Sequence, residues 1–328
     1  MYTPHTFPIA LLMIITSTIC WASWANAFKL VKNYRFELFY WDYAIGIFVI
    51  SLILGHTMGS MYGGPASLRE NIHSADGSNM ISALIGGGVF NLANLLLVAG
   101  IDLAGMAVAF PLSIGIALVV GVVLSYALQP KGNAMLLALG VLLALIAVIL
   151  DGKAYAALGS GGGRSVTRKA YVVCIISGIL MGLWAPFVTR SLTAGRALGP
   201  YSTSVFFTLG ALLSCFIFNI YLMKRPLSGE PVNFRGFFHA SAGSHLLGLS
   251  GGFIWGIGTV FNLVAASFTG VAISYAIGQA SPMVAALWGV FAWHEFRGAS
   301  PKAKTFLALM FLFYLLAIIA VARANTAG

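Results

Sequence analysis

Apolar residues in this chain do not alternate with polar ones. They come in long unbroken runs separated by short polar stretches. A run of about 20 apolar residues is the length a helix needs to cross the hydrocarbon core of a bilayer. Ten such helices are expected, over 8–29, 39–57, 79–100, 105–128, 132–150, 170–190, 201–223, 246–267, 270–292 and 305–322. A transmembrane barrel is excluded, because its strands alternate polar and apolar over about ten residues. Tight turns are expected around Asp102, joining the third and fourth helices, and at Thr269-Gly270, joining the eighth and ninth.

Composition sharpens this reading. Charged residues make up 8% of the 328 and hydrophobic ones 59%. An ordinary soluble protein carries roughly 25% charged residues. So sparse a set cannot cover a soluble surface, which excludes a soluble enzyme, a nucleic-acid-binding domain and a disordered chain. An integral membrane protein remains, with the lipid bilayer as its main partner, read as a multi-pass protein of the cell (inner) membrane. Cys20, Cys174 and Cys215 all fall in apolar runs and form no CxxC pair, so neither a disulfide framework nor a metal site is indicated. No Lys or Arg precedes the first apolar run, which is also too long for a cleaved signal.

The formal net charge of +10 is spread through the loops. Alternate loops share a side of the membrane. One side holds five basic residues: Arg69, Lys131, Arg190, Arg196 and Arg323. The other holds thirteen, from Lys29, Lys32 and Arg35 to Arg297, Lys302 and Lys304. The positive-inside rule makes the richer side cytoplasmic. Both termini then lie outside, and the segment 151–169 lies in the cytoplasm.

The chain also repeats. At an offset of 160, Ile15, Ser17, Ile19, Trp24 and Ala25 meet Ile175, Ser177, Ile179, Trp184 and Ala185. At an offset of 165, Gly86-Gly87 meets Gly251-Gly252, and Gly105 meets Gly270. Five helices per half is an odd number, so the second half enters the membrane from the opposite side. The expected fold is an all-α membrane protein in which ten transmembrane helices form two inverted five-helix repeats around a central cavity. The first repeat is 1–150 and the second 170–328. Between them lies a Gly-rich linker, 151–169, whose run Gly159-Ser160-Gly161-Gly162-Gly163 suits a hinge.

Two tracts carry a family resemblance. They are 86–150, beginning "GGGVFNLANLLLVAGIDLAGMAVAFPLSIG", and 251–322, which contains "SPMVAALWGVFAWHEFRG". Both resemble the drug/metabolite transporter superfamily. Together with the opening "CWASWANAFKLVKNYRFELFYWDYAIG" they look most like its branch of bacterial glucose, ribose and rhamnose uptake permeases and plant ureide permeases. The resemblance implies ten helices in inverted repeats and secondary transport, often coupled to protons. Ureide permeases carry a longer central loop with a nucleotide-binding-like sequence. Here 159–165 reads GSGGGRS, without the Lys-Ser/Thr ending of a P-loop, and is read as a linker.

The eight acidic residues all sit in loops or near helix ends in this reading, and no Lys or Arg falls at a membrane midplane. A charge at depth usually marks an ion path or a charged ligand. Its absence points to a small neutral polar solute, such as a sugar, a nucleoside or nucleobase, or a ureide. Amides, hydroxyls and aromatics remain to bind it. Asn91 and Asn94 share a face of the third helix; Trp255, Thr259 and Asn262 share one on the eighth; Tyr275 and Gln279 share one on the ninth. Trp24 and Trp184 occupy matching places in the first and sixth helices, within the stripes Ser17-Trp21-Trp24 and Ser177-Met181-Trp184. These nine residues are the candidate substrate contacts. The bland reading is that membrane amides tie neighbouring helices together. Trp41, Trp288 and Trp293 lie near helix ends and read as interface anchors.

Asp42, Asp102 and Glu295 are the candidates for coupling to a proton, with Lys29 and Lys32 close enough in sequence to neutralise Asp42. No cofactor, metal or nucleic acid is expected, and the chain is read as a monomer or weak homodimer. The leading function is an importing permease, a uniporter or proton symporter working by alternating access. An exporter of drugs or metabolites on the same fold is the alternative. An intramembrane enzyme would need a nucleophile with a base, or a metal cluster, at membrane depth. A sensor would need more surface outside the membrane than these loops offer.

Overall fold

The computed structural model describes residues 1–60, 67–158 and 167–326. Among them the regular structure is helical, and ten helices are long and apolar enough to cross a membrane. Spans 1 to 5 are Phe7–Leu30, Phe36–Ser60, Gly77–Ala104, Val108–Leu128 and Ala134–Ala157. Spans 6 to 10 are Arg168–Thr193, Pro200–Lys224, Ala242–Thr269, Val271–Ala292 and Pro301–Asn325. Most run a few residues past the apolar stretches read from sequence. The starts of spans 5, 6 and 8 are fixed by side chains that satisfy orphan backbone N–H groups. Asn133 accepts from Leu136, Thr167 from Ala170 and Ser241 from Ser244.

The turn between spans 3 and 4 is made by Gly105, not around Asp102, which is still helical. Gly105 has φ +74° and Gly270, between spans 8 and 9, has φ +84°. Only glycine adopts this conformation without steric cost. Residues 151–157, assigned to the linker from sequence, are the last turns of span 5. The Gly159–Gly163 run lies outside the described residues.

Packing partners interchange between the halves. Span 8 packs on spans 1 and 2, and span 3 packs on spans 6 and 7. Span 5 packs on span 10, and span 2 on span 7. Each contact maps onto another, or onto itself, when the two sets of five are exchanged. The close approaches follow the same rule. A Cβ on Gly87 would overlap the Phe207 carbonyl, and a Cβ on Gly252 would overlap the Tyr43 carbonyl. Gly210 meets the Leu84 carbonyl in the same way, and Gly46 the Leu249 carbonyl. Small residues let membrane helices approach to backbone contact, where packing replaces the hydrophobic effect as the driving force. This pairing is compatible with an inverted repeat.

Two spans are interrupted. Span 7 bends at Phe216-Ile217, between helices Pro200–Cys215 and Phe218–Lys224. Span 9 breaks at Gln279-Ala280, between Val271–Gly278 and Ser281–Leu287, and ends in a π-helical turn, Trp288–Ala292. Pro282 lies in the first turn after the break, where its missing N–H is not needed. Pro111 instead lies inside the helix of span 4.

Candidate functional site

The break in span 9 faces the centre of the bundle. A cavity of about 90 Å³ is lined there by Trp21, Trp24, Phe90, Asn94, Leu97, Ile114, Met181, Trp184, Trp255, Gln279 and Ser281. These residues come from spans 1, 3, 4, 6, 8 and 9, and none is charged. Spans 2, 5, 7 and 10 contribute nothing to the lining.

Five of the nine candidate contacts therefore meet at one place: Trp24, Asn94, Trp184, Trp255 and Gln279. Asn94 donates from Nδ2 to the Tyr40 hydroxyl at 3.2 Å, which fixes the amide orientation. The Gln279 amide and the Ser281 hydroxyl make no hydrogen bond to protein among the described residues, and neither do the indole N–H groups of Trp24, Trp184 and Trp255. The cavity wall thus offers donors and acceptors without fixed charge. Around it the rings interlock. Trp21 stacks on Trp255 at 6.1 Å between centroids, Trp255 on Phe90 at 4.4 Å, and Trp184 meets Trp21 edge-on at 6.4 Å.

The other four lie outside the lining and bond to protein. Asn91 is fully buried and donates to Ser214 Oγ at 2.8 Å, joining span 3 to span 7. Asn262 donates to the Ser274 carbonyl at 3.2 Å while Ser274 Oγ donates to the Asn262 carbonyl, which staples span 8 to span 9. The Tyr275 hydroxyl donates to the Met181 carbonyl at 3.0 Å and to that of Ala117 at 3.3 Å. Thr259 accepts from Trp21 Nε1 at 3.0 Å and so positions a ring of the wall. Each group satisfies itself on protein, and none lines the cavity. Sequence reading passed over Phe90, Leu97, Ile114 and Ser281. The repeat carried a signal for one of them: at the 165 offset Phe90 is the partner of Trp255.

A second, larger cavity of about 530 Å³ opens at the end of the bundle that carries Lys29 and Arg35. Phe28, Tyr34, Glu37, Val98, Ala99 and Asp102 are among its lining residues. It stands one helical turn below the central cavity on two spans: Phe28 follows Trp24 by four residues, and Val98 follows Asn94 by four. Arg35 is spent on local structure. It holds Glu37 at 2.7 Å and reaches the carbonyls of Ser228 and Glu230.

The three carboxylates proposed for proton coupling have different surroundings. Asp102 is exposed at the wide cavity. Glu295 forms an ion pair with Lys29, which also lies 4.4 Å over the Trp293 ring. Asp42 is 4% exposed and sits inside span 2. Its partners are not Lys29 or Lys32. His245 Nδ1 donates to both carboxylate oxygens, at 3.0 and 2.9 Å, and the Tyr34 hydroxyl donates to Oδ2 at 2.9 Å. Burial and the adjacent Asp42 carboxylate push the Tyr34 phenol well above its usual range. Asp151, placed at a helix end from sequence, is fully buried in span 5, and neither oxygen has a hydrogen-bond partner among the described residues. Trp41, Trp288 and Trp293 are tied into the protein, bonding to Met223 Sδ, Ser23 Oγ and Asn26 Oδ1.

Comparison with known proteins agrees with this architecture. Residues 170–324 match the family model described as ureide permease. Ureide permease 1 of Arabidopsis thaliana is 22% identical over 340 residues, covering 85% of this chain and 87% of that protein. A solved crystal structure superposes with a TM-score of 0.64 at 19% identity, over 96% of this chain and 98% of the other. That likeness shows a shared fold.

Proposed function

We propose that this protein is a secondary transporter that carries a small neutral solute rich in hydrogen-bonding groups, of the ureide type, across the membrane by alternating access. One observation carries the reading. A helix breaks near the middle of span 9 beside an uncharged cavity, and the side chains of Gln279 and Ser281 have no protein partner among the described residues. An unpaired amide at that depth is costly unless water or a ligand completes it. A ureide offers carbonyl acceptors and N–H donors in one plane. The indole N–H groups, the Asn94 and Gln279 carbonyls and the flat ring faces complement each of these. The likeness to a ureide permease supports the same solute class.

In this reading the halves 1–150 and 170–328 rock about the central site. The end bearing thirteen basic residues is cytoplasmic, both termini are outside, and the 530 Å³ cavity is a vestibule open to the cytoplasm. Transport is coupled to a proton, and import follows when the outside is the more acidic side.

Purified protein in liposomes tests this. Uptake of radiolabelled allantoin, uracil, ribose and glucose is compared, with and without a pH gradient. Saturable allantoin flux that unlabelled ureide competes away, and that Gln279→Ala weakens, supports the reading. Flux of none of the four, or Gln279→Ala flux equal to wild type, overturns it. Reporter fusions at Gly328 and within 159–163 test the orientation, and strong cytoplasmic activity at Gly328 reverses it.

A further inference from the structure

Asp42 is a buried acidic residue one hydrogen bond away, through Tyr34, from the lining of the wide cavity. It lies where span 2 crosses span 8 at backbone contact, with Gly248 directly against its Cβ. Its carboxylate accepts from His245 of span 8 and from Tyr34 of the loop between spans 1 and 2. Tyr34 in turn lines the vestibule. Other charged or titratable groups near the pair are accounted for. Glu37, earlier on span 2, is held by Arg35. Span 7 presents Asn219, which bonds the Glu37 carbonyl, and its Lys224 is exposed. Arg235 and His239 of the short helix Phe234–Phe238 and its end are exposed, and Phe237 covers the His245 ring edge-on at 4.8 Å. Tyr40 lies toward Asn94, not the carboxylate.

Resting on the transport reading above, we propose that Asp42 and His245 form the proton-binding site of the transport cycle. The imidazole commits Nδ1–H to the carboxylate, so the free lone pair is on Nε2. A proton from the vestibule water binds there. No other bond is made or broken, and the pair passes from one negative charge to none. A site without net charge moves through a low-dielectric state at far lower desolvation cost than a lone carboxylate. The link to the solute is short. Tyr43 follows Asp42 directly, and its ring lies 4.6 Å from that of Trp24 in the cavity wall. Movement of this turn of span 2 therefore moves a ring against which the cavity is built. Asp151 differs: it is sealed in span 5 without a hydrogen-bond partner among the described residues, so no partner links it to a cavity lining as Tyr34 links Asp42.

The experiment uses wild type, Asp42→Asn, His245→Gln and Asp151→Asn in liposomes, with radiolabelled allantoin as probe. One proton per solute and a gradient of one pH unit sustain at most about tenfold accumulation. Wild type is expected to approach that. Asp42→Asn and His245→Gln are expected to stop at equal concentrations while still exchanging label at symmetric pH, more slowly than wild type. Asp151→Asn is expected to accumulate. Accumulation by both pair variants, or its loss in Asp151→Asn alone, overturns the proposal. If the pair variants do not exchange, allantoin affinity in detergent at pH 5.5 and 7.5 decides. An affinity independent of pH supports the site, and one that shifts as in wild type overturns it. Wild type that exchanges but never accumulates removes the proton site and leaves the transport reading standing. Wild type that does neither removes both.

Discussion

Asn91 and Ser214 hold spans 3 and 7 together through one buried hydrogen bond of 2.8 Å. Three residues further along the same helix, Asn94 lines the cavity. The two asparagines look alike in sequence and differ in their surroundings: one bonds across to span 7, the other bonds Tyr40 and lines the cavity.

Asn91→Ala should therefore lower thermal stability without changing solute affinity. A hydrogen bond between membrane helices contributes about 0.6 kcal/mol on average. The loss should appear as a small drop in the melting temperature of the detergent-solubilised protein. Unchanged melting with weakened allantoin binding would put Asn91 in the site instead.

The glycine contacts make a sharper stability test. Gly87→Leu and Gly252→Leu push a side chain into the backbone carbonyls of Phe207 and Tyr43. Backbone at a helix crossing cannot yield as a flexible side chain can, so the cost should exceed the roughly 1–3 kcal/mol of ordinary overpacking. Both variants should fail to elute as a single species in size-exclusion chromatography. Gly77→Leu is the control, because nothing lies within 4 Å of a Cβ there. A normal profile for either buried variant would mean that the helices do not meet as described.

Much of this was legible in the sequence, for a physical reason. Ten apolar runs leave the chain few alternatives in lipid, and the repeat at offsets 160 and 165 brings Trp24 into register with Trp184 and Gly87 with Gly252. Of the nine candidate contacts, five were brought to one cavity. Helical spacing gives the face a residue shares, but not whether a partner waits on the next helix. Asn262 and Tyr275 were lost to Ser274 and Met181 in this way. Buried charge was misread because apolar windows end early. Span 5 continues to Ala157 and takes Asp151 inside with it, while Asp42 is shielded by His245, 203 positions away. No local pattern announces such a pair.

At the end of the bundle remote from the vestibule, acid should undo one contact. Asp76 accepts from the Arg196 backbone N–H at 3.0 Å and from its guanidinium at 2.9 Å. Together they hold the carboxyl below the usual range, with the backbone bond the larger cause. A depressed folded-state pKa gives stability that is present above the ordinary value of about 3.9 and is lost as pH falls through the folded value. Wild type should therefore melt higher than Asp76→Asn at pH 7, and the gap should close below about pH 4. A gap independent of pH would show that the carboxylate charge does not act there.

Trp24 separates two ways of holding a flat solute. Its ring touches Tyr43 at 4.6 Å, and its N–H has no protein partner among the described residues. It is also less entangled than Trp184, which packs on Trp21, Phe207 and Tyr275 at once. Trp24→Phe keeps an aromatic face and removes the donor. Trp24→Ala removes both. A donor lost from a solute carbonyl in a dry site costs about 1–3 kcal/mol, or roughly 5- to 150-fold in affinity. If the indole donates, Trp24→Phe should fall in that range, and Trp24→Ala should fall further as the stacked face goes too. If only the face matters, Trp24→Phe should bind allantoin within about twofold of wild type, because an aromatic contact worth about 0.5–1.5 kcal/mol is largely kept. Melting temperatures of the same samples exclude a folding defect, since Trp24 is half-buried and its loss leaves the Trp21–Trp255 stack in place. Equal affinity for wild type, Trp24→Phe and Trp24→Ala would remove Trp24 from the site.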